Sequence, residues 1–188
     1  DRHVASHEHP VTDPHAAGEA ALRRHQAAAS QAYVVAHVHH VIELGAIPDD
    51  GVIEAAAIDR GVKSRPYQRG VLYYSGTDVS GGTGRDSFCF AISHKDGDQF
   101  VLDLLFERKP PLNPVSAVEE ICALMDEFHL HETTGDSYGA GFVLDAFDRC
   151  GKRYIQSERD RSRVYLDCLP IFAAGRVRLV DNDRCASQ

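Results

Sequence analysis

Residues 71–106, VLYYSGTDVSGGTGRDSFCFAISHKDGDQFVLDLLF, decide the fold. Three runs in this stretch have strand composition: VLYYSGTD (71–78), SFCFAISH (87–94) and QFVLDLLF (99–106). β-Branched and aromatic residues dominate them, and turn-forming residues separate them. KDGD between the second and third is a hairpin signal, because a central glycine accepts the backbone conformation the tight turn demands. The first link is longer and glycine-rich. Three strands joined by such short links predict an antiparallel meander.

Downstream, RKPPLNP breaks the sheet, and Asn113 offers a cap ahead of Pro114 at a first helical position. Val115, Val118, Ile121, Cys122, Met125 and Phe128 recur at helical spacing, predicting a helix over 115–130. ETTGD (132–136) reads as a short strand and GAGFVLDAFDRCG (139–151) as a helix stopped by Gly151. RYIQSE (153–158) reads as a strand. RSRVYLDCLPIFAAG (161–175) reads as a helix stopped by Gly175, with Pro170 a point for a kink, and RVRLVD (176–181) as a last strand. Upstream, residues 1–15 lack any period and read as disordered, and Ala16–Leu44 is an Ala-rich helix. IPDDGVIEAAAIDRGV (47–62) reads as a turn and a short helix capped by Asp49 or Asp50 and ended at Gly61, and KSRPYQRG as a linker. The expected division is an extension over 1–46, a short helix and linker over 47–70, and an α/β domain over 71–188.

The order β-β-β-α-β-α-β-α-β combines a meander with parallel crossovers. Such a mixed sheet resembles the ribonuclease H-like arrangement, in which the first and fourth strands lie side by side and parallel. Asp78 closes the first strand and Asp136 the fourth. The topology therefore predicts that two carboxylates 58 residues apart in sequence meet at one sheet edge.

Composition narrows the chemistry. Of 188 residues, 43% are hydrophobic and 26% charged, as expected of a globular protein, and no apolar run approaches the ~20 residues that span a bilayer. A cytoplasmic location is expected. Five cysteines (Cys89, Cys122, Cys150, Cys168 and Cys185) form no C-x-x-C pair, which argues against a zinc knuckle or a disulfide framework and for buried reduced thiols. The net charge of −8 does not mark the chain as a whole as a nucleic-acid binder. Eight basic residues nevertheless fall between Arg149 and Arg178 (Arg149, Lys152, Arg153, Arg159, Arg161, Arg163, Arg176 and Arg178), against Glu158, Asp160 and Asp167. They read either as a phosphate-binding stripe or as a solvated helix face.

The glycine loop is no phosphate cradle. It lacks the lysine of a P-loop, and it leads into a strand where a dinucleotide fingerprint would open a helix. It reads instead as a bend that brings Asp78 and Asp86 together, or as a plain hairpin loop. Asp136 lies in a glycine-flanked turn between strand and helix, where it is either a helix cap or a metal ligand. Hard carboxylate oxygens of this kind suit Mg²⁺ or Mn²⁺. His37, His39 and His40 in AHVHH, together with His94, His129 and His131, lack an evident acidic partner and read as structural.

Four segments in order, IPDDGVIEAAAIDRGV, GTDVSGGTGRDSFCFAISH, TTGDSYGAG and SERDRSRVYLDCLPIFAAGRVRLVD, resemble the nuclease domain of the large subunit of tailed-bacteriophage terminases. The resemblance runs over about residues 47–183. It implies a ribonuclease H-like DNA endonuclease that cuts concatemeric viral DNA into genome lengths with two divalent metals, Mg²⁺ or Mn²⁺. Asp78 matches the family's first metal-binding aspartate, Asp86 an acidic residue after the glycine loop, and Asp136 the carboxylate of the second strand. Double-stranded DNA, met through the basic stretch, a packaging ATPase, a small terminase subunit and the portal are the implied partners. Two features depart from the family. There is no Walker A lysine loop, and the chain ends at Gln188 ahead of the His-Asp-Asp segment that carries the family's last aspartate, so Asp181 or Asp183 is the substitute to test. Asp181 also reads as a turn residue. The alternative expectation is a truncated, inactive prophage remnant that binds DNA or assembles without cutting.

Overall fold

The computed structural model describes residues 58–82, 86–136, 140–158 and 161–182. The expected helices over 16–44 and 47–57, the AHVHH histidines, Asp183 and Cys185 lie outside the described residues.

The meander forms as its sequence predicts. Strand β2 is Tyr73–Asp78, β3 is Phe88–Asp96 and β4 is Gln99–Arg108. β3 pairs antiparallel with both β2 and β4. Asp96 faces Gln99 across a two-residue turn in which Gly97 has φ 59°, so glycine supplies the one conformation that an L side chain resists.

Helix α1 is Pro114–Glu127, capped by the Asn113 side chain, which accepts from Val115 N at 2.9 Å. Strand β5 is Glu132–Gly135, α2 is Ala140–Arg149, β6 is Arg153–Gln156, α3 is Arg161–Ala173 and β7 is Val177–Val180. The helix α3 continues past Pro170 to Ala173. All three helices end alike. The residue two beyond the last helical one is left-handed (His129 φ 54°, Gly151 φ 69°, Gly175 φ 64°), and the next N–H reaches back five residues to a carbonyl. These are Schellman caps. Two use the expected glycine stops, and the first uses a histidine.

The region 47–62 departs from expectation at its described end. Ile58–Asp59 is a two-residue strand, β1, and not the end of a helix. It pairs parallel with β7, Ile58 beside Leu179 and Asp59 beside Val180. The helix-forming composition is overridden by a tertiary partner 121 residues downstream.

The described strands form one sheet in the order β1-β7-β4-β3-β2-β5-β6, in which β3 alone runs against the rest. The expected adjacency holds: β2 and β5 are parallel neighbours. On one face Phe88, Phe90 and Ile92 pack with Val118, Ile121 and Met125 of α1 and Val143 and Phe147 of α2. On the other, Ala91, Leu102, Val177 and Leu179 pack with Ile171 and Phe172 of α3. Alternate residues of each strand thus serve opposite layers. Cys89, Cys122 and Cys168 are buried and Cys150 is half-buried, and none of the four is in a disulfide. Burial pushes Cys122 and Cys168 up to about 12, which keeps them protonated.

Candidate active site

The site follows from the pairing of β2 and β5. Gly76 lies beside Thr134 and Thr77 beside Gly135, so the next residues along the two strands are Asp78 and Asp136. Neighbouring positions in a parallel pair share a face, and their backbones are ~4.8 Å apart. Asp78 is only 5% exposed and Asp136 is half-buried.

Side chains fix this register. The Thr77 and Thr133 hydroxyls meet at 2.8 Å in the interior, and Ser75 Oγ donates to the Glu132 carbonyl at 3.0 Å. Beyond β5, the Tyr154 hydroxyl donates to the Asp136 carbonyl at 2.8 Å and holds that residue's backbone in place. Gly135 permits this approach. A Cβ there would lie 2.0 Å from the Tyr154 hydroxyl and 2.6 Å from the Thr77 carbonyl oxygen.

The described part of the glycine loop runs to Gly82. Gly82 has φ 79°, accepts from Leu112 N at 3.2 Å, and has no room for a side chain, since a Cβ would lie 2.4 Å from the Leu112 carbonyl oxygen. Loop and helix entry are thereby held together. Asp86 is exposed three residues before Cys89, which pairs with Asp78, so it stands at the same end of the sheet within ~11 Å of Cys89 along the chain.

Asp181 is elsewhere. Its strand β7 is separated from β2 by β4 and β3, about 14 Å laterally. Register through β4 and β3 sets it level with Ser75 rather than Asp78. Its carboxylate accepts from Gly61 N at 2.8 Å and lies 3.9 Å from Lys63 Nζ, so it ties down the turn after β1.

The basic stretch does not form one stripe. Lys152 is buried, bonded to Asp126 and to the Leu130 carbonyl, while Arg153 pairs with Glu132, Arg163 with Asp167, Arg176 with Asp98 and Arg178 with Asp59. Arg153 lies on β6 and Arg178 on β7, toward opposite edges of the sheet. Proximity in sequence was misleading because these cations are held by carboxylates, most of them from distant elements and, for Arg163, one turn along the same helix.

Two features escaped sequence reasoning. The Ser80 hydroxyl, two residues after Asp78, is the one buried side-chain polar atom among the described residues without a hydrogen-bond partner. The other is at the far end of the sheet, where half-buried His94 Nδ1 lies 2.7 Å from the carboxylate of buried Asp103. An aspartate inside the apolar run QFVLDLLF was the available signal for the second.

Two aspartates thus follow the paired ends of adjacent parallel strands, and carboxylate oxygens are the donors a hard divalent cation takes. The partnerless Ser80 hydroxyl nearby agrees with a site that gains an oxygen-rich occupant. Among the described residues, no cluster of three or more His, Cys, Asp or Glu side chains is arranged to hold a metal, and no helix is long and apolar enough to cross a membrane.

This architecture is ribonuclease H-like α/β. More narrowly, it is the fold of the phage large terminase nuclease. The nuclease of the large terminase from thermophilic phage G20c superposes with a TM-score of 0.53 at 15% identity, covering 63% of each chain. A large terminase from a second thermophilic bacteriophage gives 0.53 at 12% identity, over 72% of this chain and 34% of that one. The HK97 bacteriophage large terminase gives 0.50 at 15%, over 63% and 32%. The G20c nuclease has also been solved with bound zinc, magnesium and cobalt. The chain therefore spans 63% of the length of the G20c nuclease and smaller shares of the other two terminases. No protein-family model and no curated protein matches the sequence.

Proposed function

We propose that this chain is a divalent-metal-dependent DNA endonuclease of the terminase type, acting on double-stranded DNA in the bacterial cytoplasm during genome packaging. The observation that supports the reading is the parallel pairing of β2 and β5, which runs up to Thr77 beside Gly135, the residues just before Asp78 and Asp136. Asp78 and Asp136 hold the cation, Mg²⁺ or Mn²⁺, and Asp86 extends the acidic rim from the loop. Divalent metal held there, as two ions in the arrangement expected for this chemistry, would supply Lewis acidity for activating a water and stabilising the departing oxygen of a phosphodiester. The residues themselves supply position. Thr77 and Thr133 keep the two strands in register, Tyr154 holds Asp136, and the burial of Asp78 restricts the water around its carboxylate. Asp181, bound to the Gly61 N–H, is given no ligand role. A packaging ATPase, a small terminase subunit and the portal are the partners this activity calls for.

The test is nicking of supercoiled plasmid by the purified chain with Mn²⁺. Asp78→Asn and Asp136→Asn are expected to lower the rate by more than about 100-fold, beyond the loss typical of a residue that only supports a metal ligand. Cleavage that survives Asp78→Asn sinks the assignment. Absence of both cleavage and calorimetric Mn²⁺ binding in the unmodified chain favours the inactive binding module instead.

A further inference from the structure

Ser80 is 6% exposed, and its hydroxyl has neither solvent nor a hydrogen-bond partner. A buried hydroxyl can rotate toward almost any nearby oxygen, so leaving one unsatisfied is costly and uncommon. Its place in the chain narrows the explanation. Ser80 lies two residues beyond Asp78, and Val79 between them packs into the core with α1. Two residues further on, Gly82 is locked against Leu112 and Pro114. The segment that carries Ser80 is thus anchored on both sides, and it leaves the sheet directly after Asp78.

We propose that Ser80 is a positioning residue of the carboxylate edge, its hydroxyl held without a partner in the cation-free protein and given an acceptor oxygen when a divalent cation binds beside Asp78. The acceptor is an oxygen of the Asp78 carboxylate or of the cation's water shell. The hydroxyl then orients that oxygen without itself touching the metal. This rests on the reading of Asp78 and Asp136 as cation ligands. Unsatisfied groups of this kind are a known form of strain held at functional sites.

The proposal predicts effects of opposite sign from one substitution. In the full 188-residue chain, Ser80→Ala removes a liability from the cation-free protein and should raise its Tm by about 2–4 °C. The same change removes a donor from the loaded state and should weaken Mn²⁺ binding about tenfold, with a smaller Mn²⁺-induced rise in Tm. Ser80→Thr keeps the hydroxyl and should restore Mn²⁺ affinity toward that of the unmodified chain. Thermal unfolding with and without Mn²⁺, together with calorimetric titration, reads all three. A Ser80→Ala protein that binds Mn²⁺ as the unmodified chain does overturns the proposal. So does one that is less stable without cation or fails to fold, because the hydroxyl is then a structural asset. An unmodified chain with no Mn²⁺-dependent shift overturns the cation site itself, and Ser80's role with it.

Discussion

Asp103 sits where β4 carries one residue more than β3. Ile92 pairs with Leu104 and Ser93 with Leu102, which leaves Asp103 as the extra residue of a bulge. Asp103 lies two residues from Val101, the partner of His94, so the two side chains share a face, and the alternation is broken only beyond it at Leu104. Asp103 is 1% exposed, and Arg65 closes over it, donating its N–H to the Asp103 carbonyl at 2.7 Å. Burial raises the Asp103 carboxyl above its ordinary 3.8, while the hydrogen bond and charge of His94 and the charge of Arg65 pull it down by less. A raised carboxyl binds a proton more readily in the folded than in the unfolded chain. Its contribution to stability is therefore full below about pH 4 and is lost as pH rises through the raised value. Asp103→Asn removes this titration while leaving an acceptor for His94. Urea unfolding between pH 4 and 7 should show the unmodified protein losing stability relative to Asp103→Asn as pH rises. A relative gain with pH would contradict it and would mark the His94–Asp103 ion pair as the larger effect.

At the scale of elements, the candidate site depends on how closely β5 approaches its neighbours. Gly135→Ala would press a methyl group against the Thr77 backbone carbonyl and the Tyr154 hydroxyl at once. The tyrosine ring can tilt, but the strand cannot withdraw without losing the Thr77–Thr133 bond. The substitution is expected to destabilise the fold by about 1–3 kcal/mol and to weaken Mn²⁺ binding by separating Asp78 from Asp136. Thermal unfolding and Mn²⁺ titration check the two effects, and a Gly135→Ala protein with unchanged stability would mean that β5 has more slack than its contacts allow. These elements were largely legible in the sequence. Strands β2 to β4 announce themselves by composition and by the KDGD turn, α1 by its apolar spacing and the Asn113–Pro114 start, and α2 and α3 by their glycine stops. The pairing of Asp78 with Asp136 was legible only through topology, since nothing local relates residues 58 apart. Strand β1 was hidden because two residues carry no period and their helix-forming surroundings point elsewhere. The Asp103 bulge was hidden because a register shift belongs to the pairing of two strands and leaves no mark in the composition of either. Ser80 was hidden because an unsatisfied hydroxyl is a property of packing, which no spacing rule reports.

For the whole molecule the question is how an acidic chain of net charge −8 would meet a polyanion. Of the eight basic residues between Arg149 and Arg178, five are engaged by carboxylates: Lys152, Arg153, Arg163, Arg176 and Arg178. Exposed pairs of this kind add little to stability, yet each offsets the local charge that would attract phosphate. With those five held by carboxylates, at most three of the eight are left for phosphate. About three phosphate contacts give a dependence of log K on log salt near −2.7. Between 50 and 200 mM NaCl, affinity for a labelled duplex should then fall by only about 40-fold, measured by fluorescence anisotropy in Ca²⁺ to avoid cleavage. Divalent cation at Asp78 and Asp136 should strengthen binding, because it turns the acidic edge from repulsive to attractive, and Asp78→Asn should remove most of that gain. A slope of about −6 or steeper would mean that the ion pairs open on DNA and that the basic residues act as the single stripe their sequence spacing first implied. Binding indifferent to divalent cation would instead move the DNA contact away from the carboxylate edge.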